Sequence, residues 1–342
     1  MQPLVTVRRL RLASAVIAAL SLVLIGMGGY VRGTGAGLAC PDWPLCYGRA
    51  VPEQLHPGVF QEVAHRYVAS IVSTLAIAYA VLCFANRRRY PRLWHVAKLF
   101  LLVLASQVVL GGLTVLLKLN PFIVTSHLAL GTAFFQLLGL TALSRLPKNR
   151  QEDSEMQELL RPRPGKPNRL STCTLILCAA VYFQMLLGGF IGASGAALAC
   201  PDIPFCNGRL IPESGSLQQG IQMLHRGVAT VILILTLVMT LFSRPLSGDR
   251  LKKRGHLFGV VFMVALQIAL GLSNVYFAIP VSGAIAHLIL AQLILLGLLR
   301  FYFRLNPQLG FFFSEESRRG SDAELGEYTP TKRNFAANVG IL

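Results

Sequence analysis

Eight long apolar stretches constrain the fold of this chain more than any other feature. They lie near 12–32, 61–86, 94–118, 122–145, 170–192, 219–243, 256–278 and 281–304. Each can cross about 30 Å of hydrocarbon, because an α-helix rises about 1.5 Å per residue. The sequence therefore predicts an all-α polytopic membrane protein with eight transmembrane helices.

The basic residues are divided unevenly between the two sides of these spans. The chain carries a net charge of +17, yet only 14% of its residues are charged and 54% are hydrophobic. Only six of its 32 Lys and Arg lie in or beside the odd-numbered loops: Arg32, Arg49, Arg66, Lys118, Arg209 and Arg226. Because short basic loops stay in the cytoplasm, we expect cytoplasmic termini and odd-numbered loops outside. The positive charge then lies on the cytoplasmic side, and we expect membrane lipid but no nucleic acid as a partner.

The N-terminal segment is basic and then apolar, as in a signal peptide. The apolar run continues through Leu24 without a convincing cleavage site, so we interpret it as the first span. No long Arg- and Ser-rich transit segment precedes it. We therefore expect a bacterial plasma membrane.

The chain repeats itself at an offset of 160 residues. "GLACPDWPLCYGR" at 37–49 returns as "ALACPDIPFCNGR" at 197–209, and "AHRYVAS", "QVVLGGLTV" and "SHLALG" have matching second copies. Both halves contain an even number of spans, so the repeats are parallel. We predict two tandem four-helix bundles with pseudo-twofold symmetry, at 1–145 and 170–304, joined by a cytoplasmic linker at 146–169 and followed by a cytoplasmic tail at 305–342.

Four of the seven histidines lie inside spans, near their outer ends: His65, His127, His225 and His287. Polar groups in membrane spans are costly and are usually functional, although interhelical hydrogen bonds are the plainer alternative. The spacing between the two histidines is 62 residues in each half, which favours a shared function. His56 lies in an outer loop, and we interpret His95 and His256 as interfacial residues.

Two histidines on neighbouring helices of a bundle can ligate one haem iron from opposite faces. A non-haem metal would need more carboxylates or thiolates than the sequence offers here, so we favour two haem sites. Arg66 and Arg226 follow their histidines and are candidates for contacts to haem propionates; snorkelling to the interface is the alternative. Glycines at 26–37, 110–115 and 187–197 let either a helix or a flat macrocycle approach the backbone.

The two halves differ at one position near a histidine. Glu62 lies three residues before His65, whereas Gln222 takes the equivalent place before His225. A carboxylate in one half alone suggests that this half carries the chemistry while the other holds a cofactor. The alternative is a plain ion pair between Glu62 and Arg66 at the i,i+4 spacing.

The duplicated loops each contain two cysteines on the oxidising side of the membrane. Closing so short a loop would contribute only about 2–2.5 kcal/mol, so we interpret the loop as a rigid local lid over the bundle. Redox-active thiols are the alternative. We interpret Cys83, Cys173 and Cys178 as small apolar residues of the spans.

These motifs together resemble the haem A synthase family, over nearly the whole chain from the first span to the eighth. The resemblance implies that His225 and His287 ligate a haem b cofactor in the C-terminal half. It implies that His65 and His127 flank the substrate haem O in the N-terminal half, with Glu62 needed for the reaction. It also implies that Cys40–Cys46 and Cys200–Cys206 are disulfides.

The resemblance further implies a reaction. Two successive O2-dependent hydroxylations convert the C8 methyl group of haem O to a gem-diol, which loses water to give the formyl group of haem A. The product would supply a terminal cytochrome oxidase. The electron donor stays open, and a haem O synthase and a second copy of the chain are the candidate protein partners.

Two other functions are weighed against this one. A di-haem b electron carrier should place its haems to bridge both membrane faces, whereas all four histidines lie near the outer side. A quinone-linked thiol oxidoreductase would use the cysteine loops, but neither "CPDWPLC" nor "CPDIPFC" is a CxxC redox motif.

Overall fold

A computed structural model describes residues 6–144, 169–210, 212, 216–242 and 250–306. Its long helices are α1 Val7–Gly33, α2 Pro57–Ala85, α3 Pro91–Leu116, α4 Pro121–Leu143, α5 Arg169–Ala193, α6 Leu217–Phe242, α7 Arg250–Tyr276 and α8 Val281–Leu305. All eight contain a stretch long and apolar enough to cross a membrane. The predicted all-α fold with eight spans is confirmed, and the protein is a multi-pass membrane protein.

Proline sets the first residue of several helices. Pro57, Pro91 and Pro121 each stand at the start of a span. Proline suits this position because its missing N–H would have no partner in the first turn and its φ is already helical. Asn120 adds a side-chain cap by accepting a hydrogen bond from the N–H of Phe122 at 3.0 Å. These local signals explain why the helices begin within a few residues of the predicted boundaries.

The helices pack in chain order within each half. Helix α1 packs against α2 and α4, and α3 packs against the same two helices, so α2 and α4 occupy opposite corners. Helices α5–α8 repeat this arrangement, with α6 and α8 at opposite corners. One apolar core lies among α1–α4 and another among α5–α8.

The two groups of four helices also pack against each other. Helix α1 contacts α8, and α4 contacts both α5 and α8. In the middle of this contact Gln292 donates a hydrogen bond to the hydroxyl of Thr132 at 2.8 Å, and both side chains are fully buried. Gln136 donates to the backbone carbonyl of Gln292 at 3.0 Å.

Thr132 and Gln292 are 160 residues apart, the same offset as the sequence repeat. Equivalent residues meet in this way close to a twofold axis. The pseudo-twofold symmetry and the domain division nevertheless stay predictions. The predicted linker (146–168 of it) and the tail beyond residue 306 lie outside the described residues.

Candidate haem site

Each of the four histidines inside the spans packs against a glycine of a neighbouring helix. A Cβ built on that glycine would lie 3.0–3.4 Å from the Cε1 atom of the histidine ring. The pairs are Gly28 with His65, Gly111 with His127, Gly188 with His225, and Gly271 with His287. A Cβ would press on the ring at Gly111, Gly188 and Gly271 and would just touch it at Gly28, so these glycines let the rings lie close to the neighbouring helix.

The glycine pairs in α1 and α5 have divided roles. Gly28 and Gly188 face histidine rings, whereas Gly29 and Gly189 face Leu288 and Leu128 of the other half. A Cβ on Gly189 would lie 2.5 Å from a methyl carbon of Leu128. Adjacent glycines therefore serve two contacts, one with a histidine ring and one between the two halves.

The helices place the histidines on opposite corners of each bundle. His65 lies about two turns inside α2 and His127 lies somewhat less deep inside α4, since a turn holds 3.6 residues. His225 and His287 take the same places in α6 and α8. All four therefore lie toward the end of the molecule that carries the cysteine loops.

The ring nitrogens are largely unpartnered. Within the described part of the chain, none of the four buried Nδ1 atoms has a hydrogen-bond partner. Among the same residues, Nε2 of His127 alone has one: the side-chain amide of Gln107, at 3.3 Å. Buried polar groups are normally satisfied, so rings without partners suggest a site for a ligand.

Two glutamines hold the backbone of the second-half histidines. Gln184 of α5 donates to the carbonyl of His225 at 2.8 Å, and Gln267 of α7 donates to the carbonyl of His287 at 2.9 Å. Leu24 stands at the position equivalent to Gln184 in the first half. Sequence reasoning missed Gln184, although a glutamine one turn before Gly188 in an apolar span was a usable signal.

The cysteines of each loop form a disulfide. The Sγ–Sγ distances are 2.08 Å for Cys40–Cys46 and 2.02 Å for Cys200–Cys206. Cys83 and Cys178 are buried in the helical cores, as expected of small apolar residues, whereas Cys173 is exposed.

Each disulfide is followed by a tight two-residue turn. In the first loop Tyr47 and Gly48 have φ of 54° and 72°, and Cys46 and Arg49 exchange backbone hydrogen bonds. Asn207 and Gly208 repeat the turn, and Asn-Gly is the favoured pair for this geometry. The closed turn brings backbone N–H groups together at one side of the loop.

An aspartate caps each turn. Asp42 accepts hydrogen bonds from the N–H of Tyr47 at 2.7 Å and of Gly48 at 2.8 Å. The hydrogen bond from Gly48, followed by that from Tyr47, lowers the pKa of the Asp42 carboxyl, because both favour the charged form. Asp202 accepts from Gly208 and Asn207 in the same way, and its pKa is lowered for the same reason.

Two arginines tie the loops to the helices. Arg66 donates through Nη1 to the carbonyls of Asp42 at 2.9 Å and Leu45 at 2.6 Å. Arg226 donates to the carbonyls of Asp202 and Phe205, both at 2.8 Å. These guanidinium groups thus bind backbone carbonyls of the cysteine loops, which the sequence did not indicate. Their contacts to haem propionates stay a prediction.

Glu62 and Gln222, on the helices that follow the two cysteine loops, hydrogen-bond to the backbone of those loops. Glu62 is 4% exposed, pairs through Oε1 with Arg66 at 2.5 Å, and accepts through Oε2 from the N–H of Cys40 at 2.8 Å. Gln222 accepts from the N–H of Cys200 at 2.6 Å and donates to the carbonyl of Ala197 at 2.9 Å. The ion pair considered from the sequence is therefore present, and the carboxylate also anchors the disulfide loop.

The first loop covers the bundle with a larger side chain than the second. The ring of Trp43 lies against Gly112, where a Cβ would be only 2.9 Å from a ring carbon. Gly112 follows Gly111, the glycine beside His127. The second half has Ile203 and Leu272 at these positions. The sequence did not indicate the contribution of Trp43 to the first site, because its contact with α3 joins residues far apart in the chain.

The remaining histidines have other surroundings. His56 is the N-cap residue of α2, and His256 stacks on Phe301 with ring centroids 4.8 Å apart. His95 is exposed on α3, near the end of that helix opposite the disulfide loops. The structure thus separates these three from the four rings that face glycines.

The fold and the site define the class: this is a multi-pass helical membrane protein with paired histidines inside its spans, beneath two disulfide-closed loops. Residues 11–299 match the COX15-CtaA family, described as cytochrome oxidase assembly proteins. "Heme A synthase" of Shewanella oneidensis is 31% identical over 321 residues, covering 81% of this chain and 91% of that protein. "Heme A synthase" of Bacillus pumilus is 27% identical over 288 residues, covering 81% and 89%.

The chain belongs to this heme A synthase family. It is accordingly an enzyme, a membrane oxidoreductase with a role in haem A biosynthesis. A further relative, "Heme A synthase" of Shouchella clausii, is 28% identical over 232 residues, which cover 67% of this chain and 74% of that protein.

Proposed function

We propose that this chain oxidises the C8 methyl group of haem O to a formyl group and so supplies haem A to a terminal cytochrome oxidase. The observation that carries the proposal is the packing of four intramembrane histidine rings against four glycines, two pairs in each half. At each pair a metal-binding side chain lies inside the bundle, directly against the backbone of a neighbouring helix.

The residues of the second half fit a resident haem b. The porphyrin brings four nitrogen ligands, so the protein needs to add only one or two. Within the described residues no group of three or more His, Cys, Asp or Glu could hold a metal ion unaided. His225 and His287 instead come from opposite corners with Nε2 unengaged among those residues, and Gln184 and Gln267 hold their backbones. When bound, haem b supplies a one-electron redox centre.

The first half fits the substrate. His65 and His127 would flank haem O, and Trp43 closes the outer end of the bundle over Gly112. The first half lacks a backbone clamp like Gln184, because Leu24 stands there. A less tightly held pair of histidines suits a haem that must enter and leave.

The reaction inserts oxygen twice at one carbon. Each hydroxylation keeps one oxygen atom of O2 and releases the other as water, which consumes two electrons and two protons from a donor. The resulting gem-diol loses water and leaves the formyl group. Glu62 lies one turn before His65, with both carboxylate oxygens accepting hydrogen bonds. Its assigned role is to relay a proton or to stabilise positive charge at the methyl carbon.

The proposal also covers the orientation of the protein in the membrane and its partners. The termini would lie in the cytoplasm and the disulfide loops outside a bacterial plasma membrane, because the basic residues favour that topology. The loops would act as rigid lids over the haem ends of the bundles. A haem O synthase, a second copy of the chain and an electron donor of open identity complete the expected partners.

The haem content of the purified full-length protein tests the proposal. We expect haem b together with haem O or haem A, seen in reduced-minus-oxidised spectra and after extraction and chromatography. His225→Ala and His287→Ala should lose haem b, whereas the matched change His95→Ala should retain it. Two equivalents of haem b and no other haem would favour the electron carrier, and the absence of any haem would refute the role of the histidines.

A further inference from the structure

Gln107 and Gln267 are equivalent residues that make different contacts. Gln107 lies 3.3 Å, measured from its side-chain nitrogen, from Nε2 of His127. Gln267 donates to the backbone carbonyl of His287 at 2.9 Å. The candidate ligand atom of His127 is thus engaged, whereas no described residue hydrogen-bonds to Nε2 of His287.

A single neighbouring residue explains the difference. The amide of Gln107 lies over Gly131, one turn after His127, where a Cβ would be only 3.0 Å from the amide nitrogen. The second half has the buried residue Ala291 at the equivalent position. A methyl group at this position would take the space that the amide uses in the first half, which accounts for the contact of Gln267 with the backbone instead.

The hydrogen bond and a metal bond compete for the same nitrogen. If the amide donates to Nε2, it uses the lone pair that iron requires. If Nε2 instead carries the proton, the amide must be flipped so that its oxygen accepts, and the ring nitrogen then has no lone pair to offer. In either tautomer His127 can ligate iron only after Gln107 moves away.

We propose that Gln107, accommodated by Gly131, withholds His127 from the substrate iron. This inference rests on the proposed function. The first site then holds haem O through His65 alone and leaves the sixth coordination position open to a small ligand, whereas the second site holds haem b through both His225 and His287. Gln107 and Gly131 are positioning residues that act through His127.

An open position is what a site that uses O2 needs, and two strong axial ligands are what an electron-transfer site needs. The difference between the halves would therefore follow from one methyl group. Glu62 in place of Gln222 adds a negative charge to the same half, but its contacts are with Arg66 and the N–H of Cys40 and not with His127 or Gln107.

The test uses full-length protein that retains haem b and is loaded with haem O. In the wild type, reduced haem O should be high-spin and should bind CO, while haem b stays low-spin and does not. Gly131→Ala should displace the amide, release His127 and convert haem O to a low-spin form that no longer binds CO. The retained haem b spectrum shows in every sample that the protein is folded.

Matched variants separate the ligands. His65→Ala should lose haem O, whereas His127→Ala should retain it with unchanged spin state and CO binding. Gln107→Leu should act like Gly131→Ala, and the control Gln267→Leu should leave the haem O spectrum unchanged. Ala291→Gly should allow Gln267 to approach His287 and give haem b some CO binding.

Two results would overturn the inference and leave the proposed function standing. One is a wild-type haem O that is already low-spin and inert to CO, and the other is a haem O spectrum that neither Gly131→Ala nor Gln107→Leu changes. Failure of haem O to load at all into wild-type protein would instead overturn the proposed function and the inference together.

Discussion

The carboxylate of Glu62 accepts a hydrogen bond from the backbone N–H of Cys40, and the amide of Gln222 accepts the equivalent one from Cys200. The chain thus contains its own isosteric comparison, because an amide already performs this anchoring role in the second half. A loop can be held without the charge. What Glu62 adds is a negative charge beside His65, paired with Arg66.

Glu62→Gln should abolish haem A formation while leaving the haem b spectrum and the loop intact. The amide can still accept from Cys40, so the loss would come from the missing charge. Product chromatography and the haem b spectrum measure the two effects separately. The matched change Gln222→Glu should retain activity, and an active Glu62→Gln enzyme would remove Glu62 from the mechanism.

Gly188→Ala and Gly271→Ala should each reduce the haem b content of the purified protein. The added methyl group would lie 3.0 Å and 3.1 Å from the rings of His225 and His287, inside ordinary van der Waals contact. The control is Gly227→Ala on α6, because a Cβ there meets nothing within 4 Å. Unchanged haem b in both site variants would contradict the placement of the cofactor beside these glycines.

Replacing Cys200 and Cys206 by serine should lower stability by at most about 2–2.5 kcal/mol, because the disulfide closes a very short loop. We expect the helices to remain and haem b to dissociate faster, since the lid over the second bundle loosens. Helical circular dichroism and the rate of haem transfer to an acceptor protein measure the two effects. Loss of all helical signal would show that the loop contributes more than a local lid.

The capping aspartates should make the loops sensitive to acid. Because the pKa of Asp42 and of Asp202 is lowered in the folded loop, their stabilising effect is complete above the usual value of 3.8. It is lost as the pH falls through the lower folded value. Hydrogen exchange at the amides of Gly48 and Gly208 should show this loss of protection in acid. In Asp42→Asn the Gly48 amide should be less protected already at neutral pH.

Gln292→Leu should weaken the contact between the two halves by about 0.5–2 kcal/mol, the range found for interhelical hydrogen bonds in membranes. The change removes the hydrogen bond to Thr132 and leaves that buried hydroxyl without this donor. Reversible unfolding in mixed micelles measures the change in the free energy of unfolding. Leu293→Ala, on the more exposed side of α8, is the comparison variant and should cost less.

The sequence by itself determined the eight spans, the two cysteine loops and the four histidines, and the family resemblance implied the disulfide pairing. The spans and the loops depend on local properties: the length of an apolar run, the proline at a helix start, and two cysteines six residues apart in one loop. The repeat strengthened each of them, because the same pattern appears twice in one chain.

The tertiary structure alone decided what those residues touch. It placed Glu62 beneath Cys40, aimed Arg66 at loop carbonyls, and divided Gly188 and Gly189 between a histidine ring and the other half. It also gave the equivalent residues Gln107 and Gln267 different partners, a histidine ring nitrogen and a backbone carbonyl. Such contacts join residues on different helices, so they depend on how the helices pack, and the periodicity of a single helix carries no information about them.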